Sequence, residues 1–236
     1  MRLSISVHDL PTTARRGVCA RAAFALLLIA ASLFASTVAL AQAKTPVAGV
    51  DYQVLETPVA TASGRKIEVL EFFNYACGHC NDFSSTLTAW KRRQPKDVAI
   101  RYEAAPYGGF FDEMARAFYA ARILGVAAKT HDAIFRDVHG THAIRPGDKA
   151  SILDAYARLG VDRARFGAEY DSARVDERLR LAKALMIASD VGGVPSLIVA
   201  GRYRIDAGEG ISFESMLATA DHLIRMERAR IARAKR

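Results

Sequence analysis

The chain has 236 residues, of which 51% are hydrophobic, with only 7 Pro and 16 Gly. This composition is globular and sufficient for one domain with a substantial core, or for one domain that carries a large insertion. The net charge of +8 comes from the two ends, since residues 1–43 hold four Arg and one Asp and residues 225–236 hold five Arg, one Lys and one Glu. The body between them is about neutral, which gives no support to a nucleic-acid-binding class.

Residues 1–43 have the pattern of a secretory signal. A basic flank precedes an uncharged apolar run at 22–31, and small residues follow that run. Two A-x-A patterns predict cleavage near Ala41 or Ala43. The alternative is a retained membrane anchor, because the run approaches the roughly 20 apolar residues that span a bilayer. We favour cleavage, so the mature protein is expected outside the cytoplasm.

The mature chain is predicted to hold only two cysteines. Cys19 precedes the apolar run and leaves with the signal, so Cys77 and Cys80 remain as a single C-x-x-C motif. Exported proteins commonly carry disulfides that stabilise their fold. This chain is large enough to fold without one and has only a single C-x-x-C, which therefore indicates redox chemistry rather than a structural disulfide. The structural alternative is half of a zinc site, which needs two further ligands. No metal site is predicted, because none of the candidate histidines lies in a ligand-like cluster. These histidines are His131, His139, His142 and His222.

The first half of the mature chain predicts strand, helix and strand after a loose lead-in at 44–66. The apolar run at 67–73 is typical of a central strand. An apolar stripe at helical spacing then predicts a helix that opens at Cys77 and stops before Pro95. Residues 98–102 predict the next strand. A strand–helix–strand unit of about 35 residues places its two strands parallel.

The second half of the chain changes character twice. Residues 112–190 predict five short helices with no strand pattern among them. From Val194 to Ile205 the pattern returns to strand, with a turn at Ala200-Gly201, and a final helix begins near Phe213. The prediction is a small mixed sheet with helices on both faces, interrupted by a helical block.

The C-x-x-C motif stands at the predicted start of a helix, directly behind a buried strand. Unpaired N–H groups and the positive end of the helix dipole favour a thiolate there, and they lower the pKa of a cysteine below its usual value of about 8.5. Cys77 is therefore the expected nucleophile, and Cys80, one turn into the helix, the buried resolving thiol. His79 adds a donor or a positive charge near the sulfur, the alternative being a plain solvated histidine. Because a stabilised thiolate favours the reduced form, the disulfide is expected to be a strong oxidant.

Two features outside the motif carry further chemistry. Glu71 is out of place in its apolar strand, because a buried carboxylate is costly unless it is paired or protonated. It is either a proton acceptor for the thiol chemistry or the ion-pair partner of Arg101 on the neighbouring strand, and both interpretations can hold together. Val194-Pro195 opens the returning strand, and the sequence leaves its bond open between a cis form that presents backbone groups to a ligand and an ordinary trans start.

These features together resemble the DsbA family. The resemblance covers roughly residues 50–225 and rests on the helical block and on three motifs: Val69-Leu70-Glu71-Phe72-Phe73, Cys77-Gly78-His79-Cys80 and Gly193-Val194-Pro195. It implies a thioredoxin fold of the α/β class, a βαβ…ββα mixed sheet with an inserted all-helical domain. The thioredoxin-like domain is expected at 44–107 and 191–236, and the helical insertion at 108–190.

The resemblance also implies a function, that of a periplasmic thiol:disulfide oxidoreductase that donates its disulfide to exported proteins during oxidative folding. The family's roles fall on matching positions: Cys77 as nucleophile, Cys80 as resolving thiol, His79 as thiolate stabiliser, Glu71 as buried acid and proton relay, and Val194 and Pro195, the cis-proline, as substrate-binding residues. Arg101 falls where the family often has a lysine. Gly78 departs from the Pro-His dipeptide of many members, which predicts a somewhat milder oxidant.

Partners and alternatives follow from the same resemblance. The expected partners are exported proteins with cysteine thiols and a membrane reoxidase of the DsbB type, and the chain is expected to be a monomer with no cofactor besides the Cys77–Cys80 disulfide. Tyr75 and Phe110 are weaker expectations for apolar substrate contacts. The alternatives are a disulfide isomerase or reductase of the same fold, and a chaperone or binding module whose disulfide is structural. The lead-in is too short for an isomerase's dimerisation domain.

Overall fold

A computed structural model describes residues 45–234 and Arg236. The predicted signal at 1–43, with Cys19 and the cleavage positions at Ala41 and Ala43, lies outside the described residues. Within the described part of the chain, no helix combines the length and the apolar character that a bilayer crossing requires.

A five-stranded mixed sheet forms the centre of the structure. Its strands in chain order are β1 (Gln53–Val54), β2 (Ile67–Phe73), β3 (Val98–Ala104), β4 (Ser196–Val199) and β5 (Tyr203–Asp206). Across the sheet the order is β1-β5-β4-β2-β3. β2 is buried along all of its seven residues, as its apolar run predicts, and it pairs parallel with β3 and antiparallel with β4. The predicted parallel pair is confirmed.

Seven helices accompany the sheet in the described residues. They are α1 (Gly78–Arg92), α2 (Phe110–Ile123), α3 (Ala127–His139), α4 (Lys149–Arg158), α5 (Arg163–Tyr170), α6 (Ala173–Ala188) and α7 (Phe213–Ala234). α1 and α7 cover the sheet face that carries Val69, where Phe83 and Leu223 are fully buried. The opposite face, around Phe72, packs against Met186 of α6. The sheet therefore has helices on both faces, and the predicted α/β thioredoxin class is confirmed.

The helical block α2 to α6 stands between β3 and β4 in the chain, as the sequence predicts. Several of its helices begin at polar caps that satisfy first-turn N–H groups: Asp148 for α4, Asp162 for α5 and Ser172 for α6. Its core is rich in aromatic side chains, and Phe73 at the end of β2 packs into it. The division into domains at 107/108 and 190/191 stays a prediction.

The lead-in differs from its predicted loose loop. β1 lies within it and pairs antiparallel with β5, so that Gln53 is opposite Arg204. Tyr52 and Leu55 on either side of β1 are buried, and the backbone N–H of Leu55 donates to the carbonyl of Arg202 at 2.8 Å. A strand of two residues is too short to show an alternating pattern, so packing rather than periodicity defines it.

Candidate active site

Cys77 lies at the point where the central strand passes into α1. It occupies the N-cap position in extended conformation (φ −89°, ψ 119°), and α1 has neither a side-chain cap nor an acidic residue in its first turn. The N–H groups at the start of this helix are therefore left to face the Cys77 sulfur, together with the positive end of the helix dipole. The Cys77 side chain is partly exposed, whereas Cys80 is fully buried, and both are thiols in this structure.

The two thiols differ sharply in acidity. The pKa of Cys77 is lowered to about 6, chiefly because the Cys80 thiol hydrogen-bonds to its sulfur. Burial opposes the shift, while the backbone N–H groups of Cys80 and His79 and the charge of His79 support it. The pKa of Cys80 is raised strongly, first by burial and then by its hydrogen bond to Cys77. Near neutral pH the pair therefore holds one thiolate at Cys77 and one proton at Cys80.

Asn74 holds the loop that carries the motif, a role that the sequence did not indicate. Its buried amide nitrogen donates to the carbonyls of Ala105 and Phe111, both at 2.9 Å, and its side-chain oxygen accepts from the Ala76 N–H at 3.0 Å. Its carbonyl also accepts from the Cys77 N–H at 3.0 Å. These bonds tie the C-x-x-C loop to the end of β3 and the start of α2. The only sequence feature that could have indicated this role is the position of Asn74 between the end of β2 and the C-x-x-C motif.

Glu71 lies buried in β2, on the face that α1 covers. Burial raises the pKa of its carboxyl to about 8, the charge of Cys77 adds to this rise, and the charge of Lys91 opposes it. Glu71 also acts on Cys80, whose pKa it raises. A carboxyl group that is protonated at neutral pH therefore lies within electrostatic range of both thiols. Lys91, near the far end of α1, is a neighbour of Glu71 that the sequence did not reveal.

The predicted ion pair between Glu71 and Arg101 is wrong. Arg101 is opposite Leu70 in the parallel register of β2 and β3, so its side chain lies on the sheet face away from Glu71. There it pairs with two buried carboxylates, with Glu103 at 2.7 Å and with Glu68 at 3.4 Å. Among the described residues, the Glu71 carboxylate has no ion-pair partner within 4.0 Å. Because successive side chains along a strand lie on opposite faces of the sheet, Glu71 and Arg101 cannot form this ion pair.

The loop before β4 closes the site from the other side. The Val194–Pro195 peptide bond, whose isomer the sequence left open, is cis, and the Val194 carbonyl accepts from the Cys77 thiol at 3.4 Å. The Ser196 hydroxyl donates to the Gly193 carbonyl at 2.8 Å, which fixes the loop on its strand. The structure thus brings Cys77 and Val194 together across 117 positions of sequence.

The remaining expected contacts divide between surface and core. His79 is exposed beside Cys77, and Phe110 is 48% exposed at the start of α2. The expectation of a substrate contact at Tyr75 is wrong, because its side chain is fully buried against Phe73 and its hydroxyl bonds to Nδ1 of His131 at 3.0 Å. In residues 45–234 and 236, no group of three or more His, Cys, Asp or Glu side chains is arranged to hold a metal ion.

Comparison with known proteins gives a consistent result. The chain matches the family model described as DSBA-like thioredoxin domain over residues 68–220. It is 36% identical to the thiol:disulfide interchange protein DsbA of Pseudomonas aeruginosa PAO1 over 203 residues, which is 86% of this chain and 94% of that protein. It is 37% identical to DsbA of Azotobacter vinelandii over 183 residues, which is 77% of this chain and 84% of that one.

Solved structures agree with these relatives. The crystal structure of the oxidoreductase DsbA from Xylella fastidiosa superimposes with a TM-score of 0.74 at 36% identity, covering 78% of this chain and 99% of that one. The crystal structure of Pseudomonas aeruginosa DsbA gives a TM-score of 0.74 at 34% identity, and the match covers 80% of this chain and 98% of that one. Since the family model spans residues 68–220 and curated relatives are 36–37% identical over most of the chain, the chain belongs to the DsbA family of thiol:disulfide oxidoreductases.

Proposed function

We propose that this protein oxidises cysteine pairs in exported proteins by transferring the Cys77–Cys80 disulfide to them. The thiolate of a substrate attacks the Cys77 sulfur, the Cys77–Cys80 bond breaks, and its electron pair leaves on the Cys80 sulfur. A second substrate thiolate then attacks the substrate sulfur of the mixed disulfide, and Cys77 leaves as a thiolate. Two electrons have passed from the substrate to the protein, and the substrate holds a new disulfide.

The protons follow from the acidities of the groups. The Cys80 sulfur takes up a proton when it leaves, because its pKa is raised by burial. Glu71, with a pKa raised to about 8 by burial, holds a proton at neutral pH and is the group that we assign as its donor. Cys77 leaves without a proton, because its pKa is lowered to about 6. A sulfur of low pKa is a good leaving group, which favours release of the oxidised substrate.

The cis-proline loop is the site that we assign to the substrate backbone. Val194 and Pro195 stand against the reactive sulfur, and the Val194 carbonyl is already 3.4 Å from it. A peptide in extended conformation beside this loop would place its own cysteine next to Cys77. Phe110 supplies exposed apolar surface at the start of α2. His79, exposed beside Cys77, supports the thiolate from the solvent side.

The compartment and the partners belong to the same proposal. The relatives carry the name thiol:disulfide interchange protein, and the basic and apolar pattern at 1–43 is that of an export signal. We therefore place the mature protein in the periplasm, as a monomer that a membrane protein of the DsbB type reoxidises. The Cys77–Cys80 disulfide is the sole redox group in this scheme, with no metal and no organic cofactor.

The observation that carries the proposal is the difference in pKa between the two thiols, which is lowered at the partly exposed Cys77 and raised at the buried Cys80. Titration of the reduced protein, followed by thiolate absorbance at 240 nm, is expected to show one thiolate forming with a midpoint about pH 6. The Cys77→Ser variant serves as the control and should lose this step, while Cys80→Ala should keep it with a higher midpoint, since the Cys80 hydrogen bond is removed. A Cys77 midpoint at the usual value of about 8.5 would contradict the proposal.

A further inference from the structure

A cavity of about 880 Å³ opens between α1, β3, the end of α2 and the start of α3. This volume is in the range of small-molecule sites, about 300–1,000 Å³. Ile100, Tyr102 and Phe118 give it an apolar floor, and the exposed side chains of Lys91 and Arg92 stand at its rim. The thiol chemistry described above uses none of these five side chains as a reacting group.

The charge around this cavity is not balanced. Arg101 and Arg122 also line it, but Glu68 and Glu103 hold both of them in ion pairs. Lys91 and Arg92, by contrast, form no ion pair with any residue that the structure describes. Asp132 is the acid of the lining. Burial lowers the pKa of His131 to about 4, so this lining residue adds no charge near neutral pH.

The positions of the two unpaired cations suit a ligand that lies on the aromatic floor. The Lys91 ammonium is 5.0 Å from the centre of the Tyr102 ring, over its face. Across the cavity, Ala127 and Ala128 belong to the first turn of α3. The helix has no side-chain cap, and this first turn contains no acidic residue. The first N–H groups of a helix carry partial positive charge. The flat apolar floor is therefore bordered by positive charge from two helices.

We propose that this cavity binds a small organic anion, a carboxylate or sulfonate on a flat apolar body. The anionic group would lie between Lys91 and Arg92, and the apolar body would lie on Ile100 and Tyr102. The site is separate from the thiols, because Lys91 is fourteen residues along the chain from Cys77, about 21 Å at 1.5 Å per residue. A ligand here would leave the substrate surface at Val194 and Pro195 free.

Calorimetric titration of the protein with naphthalene-2-carboxylate tests this proposal. We expect saturable 1:1 binding, and at least tenfold weaker binding of the neutral isostere naphthalene-2-carboxamide, because charge-assisted contacts to both cations are lost. The Lys91→Gln/Arg92→Gln double variant should also bind the carboxylate at least tenfold more weakly. Arg93→Gln/Lys96→Gln is the matched control, since these exposed cations of the same region do not line the cavity. It should bind within twofold of the unchanged protein.

The Cys77→Ser variant tests whether the ligand binds at the thiols or in the cavity. We expect this variant to bind the carboxylate as the unchanged protein does. Loss of binding in that variant would locate the ligand at the thiols and overturn the proposal. Equal binding of carboxylate and carboxamide, an equal effect of the two double variants, or no binding at millimolar ligand would also overturn it. Thermal unfolding of each variant verifies that the protein titrated is folded.

Discussion

Replacing Cys77 with Ser is expected to abolish the oxidation of a dithiol peptide by this protein. The substitution removes the sulfur that forms the mixed disulfide, and no other cysteine of the described residues can replace it, because Cys80 is fully buried. Folding should be retained, since the Cys77 side chain is partly exposed and a hydroxyl can donate to the Val194 carbonyl as the thiol does. The measurement is the rate at which a fluorescent dithiol peptide is oxidised.

The Cys80→Ser variant is the matched control for this experiment. It keeps the nucleophile but removes the resolving thiol. When this variant meets glutathione disulfide, the Cys77 thiolate attacks one sulfur and the other leaves as glutathione thiolate, so the Cys77–glutathione disulfide should persist and appear as an added mass on non-reducing analysis, whereas in the unchanged protein Cys80 displaces the glutathione. Oxidation that continues in Cys77→Ser, or a failure of Cys80→Ser to hold a mixed disulfide, would contradict the assigned roles.

Replacing Glu71 with Gln is expected to stabilise the reduced protein, and increasingly so as the pH rises. In the unfolded chain the carboxyl ionises near pH 4.5, but in the folded protein burial raises its pKa to about 8. Between these two values folding takes up a proton, so the wild-type protein loses stability as the pH rises through this window. Gln carries no titrating group and avoids this loss. The advantage of the variant should reach a few kcal/mol (about 1.4 per pH unit at most) near pH 8 and vanish below about pH 4.5.

Chemical denaturation of both proteins at several pH values from 4 to 9, under reducing conditions, measures this difference. Glu68→Gln is the control on the same strand. Glu68 is also buried, but its carboxylate accepts from the Ser63 hydroxyl at 2.6 Å and pairs with Arg101 at 3.4 Å. Its replacement should therefore destabilise the protein by about 1–3 kcal/mol. A pH-independent difference for Glu71→Gln, or a loss of stability at high pH, would contradict the buried protonated carboxyl.

The outline of the fold was predictable from sequence because its signals are local. The buried run of β2, the stop at Pro95 and the helical periodicities of the block each depend on neighbouring residues. The redox motif was predictable for the same reason, since a helix start acts on a cysteine within one turn. β1 could not be predicted, because a strand of two residues is too short to show an alternation of apolar and polar side chains. Its pairing with β5 joins residues about 150 positions apart in the sequence and depends on the tertiary structure.

The errors at the site concern geometry that no local pattern contains. Arg101 was assigned to Glu71 because both lie on adjacent strands, but the register places Arg101 opposite Leu70 and thus on the other face. Tyr75 is a weaker expectation for an apolar substrate contact, whereas its side chain is buried in the core that the helical block forms. Asn74 acts through carbonyls 31 and 37 positions away, which only the folded chain brings together. Such contacts depend on the tertiary structure and not on residue type.

Gly78 is the position from which the sequence predicts a somewhat milder oxidant than the family members with a Pro-His dipeptide. It is the first residue of α1, and a Cβ placed there would meet no heavy atom within 4 Å, so packing does not require glycine. The N–H groups and His79 that favour the Cys77 thiolate are present without a proline at this site. We therefore expect the disulfide to be oxidising, and the milder potential predicted from Gly78 stays a prediction.

The reduction potential of the Cys77–Cys80 pair tests the central claim most directly, namely that this disulfide is a donor. Equilibration of the protein with glutathione buffers at pH 7, followed by quantification of the oxidised and reduced forms, gives this value. We expect a potential between about −180 and about −120 mV, well above the value of about −270 mV that is typical of the reductant thioredoxin. A potential at or below about −270 mV would contradict the claim and identify the protein as a reductant.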